Sequence, residues 1–174
     1  MTYGRVLMVA LLLGLAAVVQ TVVLTAIPFP AATPDLVLLV VVALALVQGP
    51  NSGAVIGFAG GLLLDVVPPA DGAVGRWALV LCLVGWFAGR ASDAVEGSAF
   101  LPLLVVVAAS FCSLVGYAAI GWLIGDVRVT GSAVARALPA AVLYDVLFSP
   151  FVVPLVMALA RRFEPTTTYA RTIR

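Results

Sequence analysis

Six apolar segments, at about residues 5–27, 34–48, 53–67, 74–90, 99–125 and 134–160, occupy most of this 174-residue sequence, with only short polar turns between them. Such a chain has few folds open to it. In hydrocarbon every backbone N–H and C=O must find a partner inside the protein, and a helix achieves this segment by segment. A soluble alternative fails on charge, because nine cations and eight anions, 10% of the residues against 64% hydrophobic, cannot coat a surface of this size. The expected fold is therefore an all-α polytopic bundle of about six transmembrane segments. It is a single integral membrane domain over residues 1–174, ending in a polar tail at 161–174.

The first segment holds a roughly 20-residue apolar stretch, long enough to cross a ~30 Å core and longer than the apolar region of a signal peptide, so we read it as an uncleaved span. "TPD" at 33–35 reads as a helix start, with Thr33 as the cap, Pro34 at the first helical position and Asp35 at the positive end of the dipole. "GPNSG" at 49–53 turns the chain. The second and third segments, at roughly 15 residues or ~22 Å each, are thin spans or a re-entrant hairpin. Six segments place both termini on one side. With the termini in the cytoplasm, Arg5, Arg90, Arg161, Arg162, Arg171 and Arg174 lie inside against Arg76, Arg128 and Arg136 outside, which satisfies the positive-inside rule.

Residue types narrow the chemistry. All nine cations are arginine and the chain has no histidine, so the usual proton shuttle and the commonest metal ligand are missing. The net charge of +1 gives no nucleic-acid footprint. Cys82 and Cys112 fall inside apolar segments and read as reduced core residues. No catalytic residue, metal site or cofactor follows from the sequence. Trp77, Trp86 and Trp122 read as interfacial anchors or packing residues.

Two features stand out within the apolar runs. Gly53, Gly57 and Gly61 recur every four residues with Gly60 alongside, and weaker versions appear in "ALLLG" at 10–14, "GWFAG" at 85–89 and "GWLIG" at 121–125. Small residues at this spacing let helix backbones approach closely, either inside the bundle or against a partner helix, and Gly53–Gly61 is the first place to expect a partner. The second feature is a pair of lone acids. Asp65 shares the glycine face and lies near the outer interface, with Arg76 and Arg136 as expected ion partners. Asp145 falls about 16 Å into its segment, near the midplane, where a charge costs at least about 2.5–3.5 kcal/mol. We therefore expect it protonated or reached by water, hydrogen-bonded to Gln20, Ser110, Ser113 or Tyr117. Pro150 and Pro154 leave the carbonyls of Val146 and Pro150 without helical donors. The two acids sit at different depths, which argues against a catalytic pair.

The order of "PDL" at 34–36, a Gly-Pro turn, "GAVIGFAGGLLLD" at 53–65 and "LVGWFAGR" at 83–90 resembles the rod-shape-determining membrane protein family MreD, most specifically over residues 34–90. The resemblance implies a non-enzymatic scaffold of the bacterial cell-elongation machinery, in the plasma membrane. Its implied partners are MreC, RodA, the class B penicillin-binding protein and MreB, and its implied role is in peptidoglycan synthesis and rod shape. The family is also similar in fold to substrate-binding subunits of energy-coupling-factor transporters, which makes a vitamin-binding subunit the alternative.

Overall fold

The computed structural model describes residues 3–24, 26–67, 74–95 and 100–163, and the described residues are helical apart from an irregular stretch at 26–35 and short connections. The tail beyond residue 163, with Arg171 and Arg174, and the Pro68–Pro69 stop lie outside the described residues. Helix α1, Tyr3–Val18, continues as a wider π-helical stretch, Val19–Leu24. Then follow α2 (Leu36–Val66), α3 (Arg76–Arg90), the short α4 (Ser92–Val95), α5 (Leu101–Leu123) and α6 (Gly131–Arg162). Four of these elements, α1 with its extension, α2, α5 and α6, are long and apolar enough to cross a membrane.

Helix α2 is folded on itself. Gly49 adopts φ 80° and ψ 178°, a left-handed φ open to glycine at no steric cost, and Pro50 supplies a preset φ for the first turn of the second arm. Only Gly49 breaks the helix, not the whole of "GPNSG". The arms then run antiparallel, since Gly53 lies against Ala45 and Gly60 lies against Val37 and Val41. The first arm is the centre of the molecule: Val37 through Ala45 are all at most 4% exposed. A helix that is apolar on every side is buried on every side, and "LVLLVVVALALV" has no polar face to turn outward.

The other helices surround this arm and meet lipid with their outer faces. On α6, Leu143, Leu147, Phe151 and Leu155 recur every four residues and are 61–75% exposed, an apolar stripe that no aqueous surface of a stable monomer would carry. Helices α5 and α6 are joined through a turn at 124–130, and Thr130 caps α6 by accepting the Ala133 N–H at 3.3 Å. Helix α6 runs through Pro139, Pro150 and Pro154 without breaking. One of the carbonyls freed by those prolines, that of Val146, accepts the Ser149 hydroxyl at 2.9 Å.

Two sequence readings are corrected at this level. The cap of α2 is Asp35, which accepts the Leu38 N–H at 2.9 Å, and not Thr33 two residues earlier. Cys112 is an exposed free thiol on α5, not a core residue, while Cys82 is half-buried.

Candidate functional site

Helix α2 begins inside the protein, which raises a physical problem. The first N–H groups of a helix have no partner within it, and in an apolar interior each one left unmet costs about 1–3 kcal/mol. Three side chains from three elements meet them. Asp145 Oδ1, fourteen residues into α6, accepts the Asp35 N–H at 2.7 Å. Gln20 Oε1, from the π-helical stretch after α1, accepts the Val37 N–H at 3.0 Å. Asp35 itself accepts from Leu38. The second oxygen of Asp145 accepts the Ser110 hydroxyl of α5 at 2.6 Å, so one carboxylate, 1% exposed, ties α2, α5 and α6 together. Tyr144, beside it, stacks edge-on against Phe29 and donates to the Pro30 carbonyl, holding the segment that leads into α2.

Of the four partners the sequence offered Asp145, the structure selects Ser110. Gln20 serves the same helix start from the other side. Ser113 donates to the Ser110 carbonyl and Tyr117 belongs to a different cluster.

Asp65 repeats this solution at the start of α3. Its oxygens accept the N–H groups of Gly75 at 2.9 Å and of Trp77 and Ala78 at 3.1 Å. Each buried acid thus terminates a helix that is not its own. The ion pair expected between Asp65 and Arg76 or Arg136 does not form. Arg76 reaches the other way: its Nε and Nη2 donate to the Tyr117 carbonyl at 2.9 and 2.6 Å, and its Nη1 pairs with Asp126 at 3.0 Å. The guanidinium lies 3.4 Å from the Tyr117 ring centroid, and Trp77 stacks on the same ring. Arg136 is exposed near the start of α6 and donates to the Ser132 carbonyl.

This cluster carries two expected outcomes. Arg76→Lys should lower thermal stability in detergent by about 1.5–3 kcal/mol, since an ammonium cannot fork between Tyr117 and Asp126 while stacking on the ring. Asp126, in the loop, is held below the ordinary carboxylate range, first by the hydrogen bond from the Arg128 side chain and then by the Arg128 amide and Arg76. A lowered folded-state pKa contributes stability above the unfolded value and loses it as pH falls through the folded one. The 124–130 turn should therefore loosen only below about pH 4, visible as faster amide exchange there, and Asp126→Asn should abolish that acid step.

The glycine face that the sequence offered to a partner helix is filled by α3 of the same chain. Gly53 lies opposite Gly85, Gly57 opposite Leu81 and Gly61 opposite Trp77, each step of four along α2 matched by a step of four back along α3, and Gly89 closes the series against Gly49 and Pro50. A Cβ on Gly53, Gly57 or Gly61 would run into a backbone carbonyl of α3. Gly60 faces inward to Leu13, Val37 and Val41. The second helical seam is open. Between α3 and α5 runs an apolar groove of about 470 Å³, with Leu83 and Phe87 on one wall and Ala108, Cys112 and Gly116 on the other.

A family model described as rod shape-determining protein MreD matches residues 1–163, almost the whole chain. The chain belongs to the MreD family. No characterised protein and no solved structure matches. MreD membership gives this chain a role in rod shape determination, as a structural component of the elongation machinery, and the exposed apolar helices agree with its place in a membrane. Within this MreD chain the "PDL" and "GGLLLD" stretches of the resemblance now have a physical content: each supplies an aspartate to a buried helix start.

Proposed function

We propose that this chain is a non-enzymatic scaffold that binds the single membrane helix of MreC and, with RodA, the class B penicillin-binding protein and MreB, helps control peptidoglycan synthesis. The family match over residues 1–163 carries the reading. Its buried acids support it, because Asp65 and Asp145 are each engaged by helix starts rather than facing each other across a cleft. The arginine distribution supports both termini in the cytoplasm, with the two arms of α2 counted as separate short spans. The groove between α3 and α5 suits the MreC helix better than the filled Gly53–Gly61 face does. It follows α5 from Val105 to Ile120, roughly 22 Å of a ~30 Å core, and Ala108, Cys112 and Gly116 present small residues at the spacing that admits a second helix. Its apolar walls also favour a helix over the vitamin of a transporter subunit.

Affinity capture of the tagged chain from native membranes should recover MreC. Gly116→Leu should reduce that recovery at least about tenfold while leaving thermal unfolding in place, because a Cβ there meets only Val80 at 3.6 Å and leucine favours helix. Unchanged recovery with Gly116→Leu would place the partner elsewhere.

A further inference from the structure

A second cleft, of about 680 Å³, opens between the start of α5 and the last turns of α6. Phe100 and Leu103 form one wall, Ser149, Val153 and Met157 the other, and Arg161 stands at the mouth. Its chemistry changes along its length. At the deep end the Ser149 hydroxyl is already spent on the Val146 carbonyl, and Pro150 and Pro154 have no N–H to offer, so an occupant meets apolar walls. At the mouth Arg161 is exposed and has no ion-pair partner among the described residues.

Length selects the occupant. Ser149 and Arg161 are twelve residues apart on α6, roughly 18 Å at 1.5 Å per residue, close to one leaflet of a ~30 Å core and far short of the whole. A transmembrane helix would need the full thickness, as the α3–α5 groove nearly provides. The mouth also lies at the end of the bundle where headgroups would be: a Cβ on Gly4 would touch Phe163 at 3.9 Å, so the start of α1, with Arg5, and the end of α6, with Arg161 and Arg162, share that end. We propose that this cleft holds one anionic phospholipid of the leaflet facing the chain ends, an acyl chain lying between α5 and α6 and the phosphate on Arg161. This depends on membrane placement alone and not on the MreC reading.

The test is native mass spectrometry of the full chain in detergent, titrated with phosphatidylglycerol, phosphatidylethanolamine or glycerol phosphate. The wild type should retain phosphatidylglycerol in preference to phosphatidylethanolamine, and glycerol phosphate should not compete. Arg161→Gln should weaken phosphatidylglycerol about fivefold, the scale of one cation at an anionic lipid surface, whereas Arg162→Gln, which does not line the cleft, should leave it unchanged. Ala158→Phe, filling the cleft from an exposed position, should reduce retention of both lipids at unchanged helicity by circular dichroism. Equal loss with Arg162→Gln, competition by glycerol phosphate, or retention unaffected by both Arg161→Gln and Ala158→Phe would overturn the proposal.

Discussion

Replacing Gly57 with leucine should cost the folded protein about 3 kcal/mol or more, at or above the upper end of overpacking penalties. The reason is that the new side chain meets backbone and not a mobile side chain: the Leu81 carbonyl and the Cys82 amide of α3 occupy the space where its Cβ would go. Neither helix can yield locally, since four successive contacts, at Gly49, Gly53, Gly57 and Gly61, set one common separation between α2 and α3. Relief requires the helices to part along their length. Gly57→Ala should act in the same direction to a smaller extent. Gly14→Leu on α1 is the contrasting substitution, because nothing lies within 4 Å of a Cβ there, and it should leave stability unchanged or raise it by up to about 1 kcal/mol, leucine favouring helix over glycine. Thermal unfolding of purified variants in detergent measures all three, and equal behaviour of Gly57→Leu and Gly14→Leu would refute the close α2–α3 contact. Loss of MreC with Gly57→Leu would accordingly report a lost fold, which is why Gly116 is the position that reads the interface.

Asp145→Leu is the second substitution with a large expected effect, roughly 2–6 kcal/mol, from two donors, the Asp35 N–H and the Ser110 hydroxyl, left buried without an acceptor. Asp145→Asn should cost under about 1.5 kcal/mol, one ordinary hydrogen bond at most. Its amide oxygen can take the Asp35 N–H, and its NH₂ can donate to Ser110 once that hydroxyl rotates. If Asn and Leu destabilise equally, the carboxylate does more than accept hydrogen bonds. Because Gln20 meets the Val37 N–H of the same helix start, Gln20→Leu combined with Asp145→Leu should exceed the sum of the singles, a coupling that a double-mutant cycle detects.

The limits of sequence reading follow from where partners come from. The all-helical membrane fold was legible because runs of apolar residues ended by Gly, Pro and polar turns report local preference and solvent. That two lone acids lie within apolar runs was legible from the residues themselves. What they would bind was not, since Asp145 and Asp35 are 110 residues apart and the acceptor meets a backbone amide, which every residue type offers equally. A charged partner draws attention in a sequence, so charge alone pairs Arg76 with Asp65, although a buried helix start has the stronger claim on a carboxylate. The glycine face showed that a close helix contact exists without naming its partner. A signal was present in "GWFAG", whose Gly85 and Gly89 carry the matching period, and whose place one turn of chain after the Gly53–Gly61 helix favours an antiparallel neighbour. The central position of the first arm of α2 was legible only as a lack of any polar face.

The claim that this chain holds a partner helix in its open α3–α5 seam is tested most directly at Cys112, the native exposed thiol on the groove wall. Thiol cross-linking in native membranes, with single cysteines moved stepwise along the membrane helix of MreC, should join Cys112 to positions that recur every three or four residues, as one helix face would. Cross-links absent at Cys112 but present from the lipid-facing stripe of α6, for example through Leu147→Cys, would contradict it.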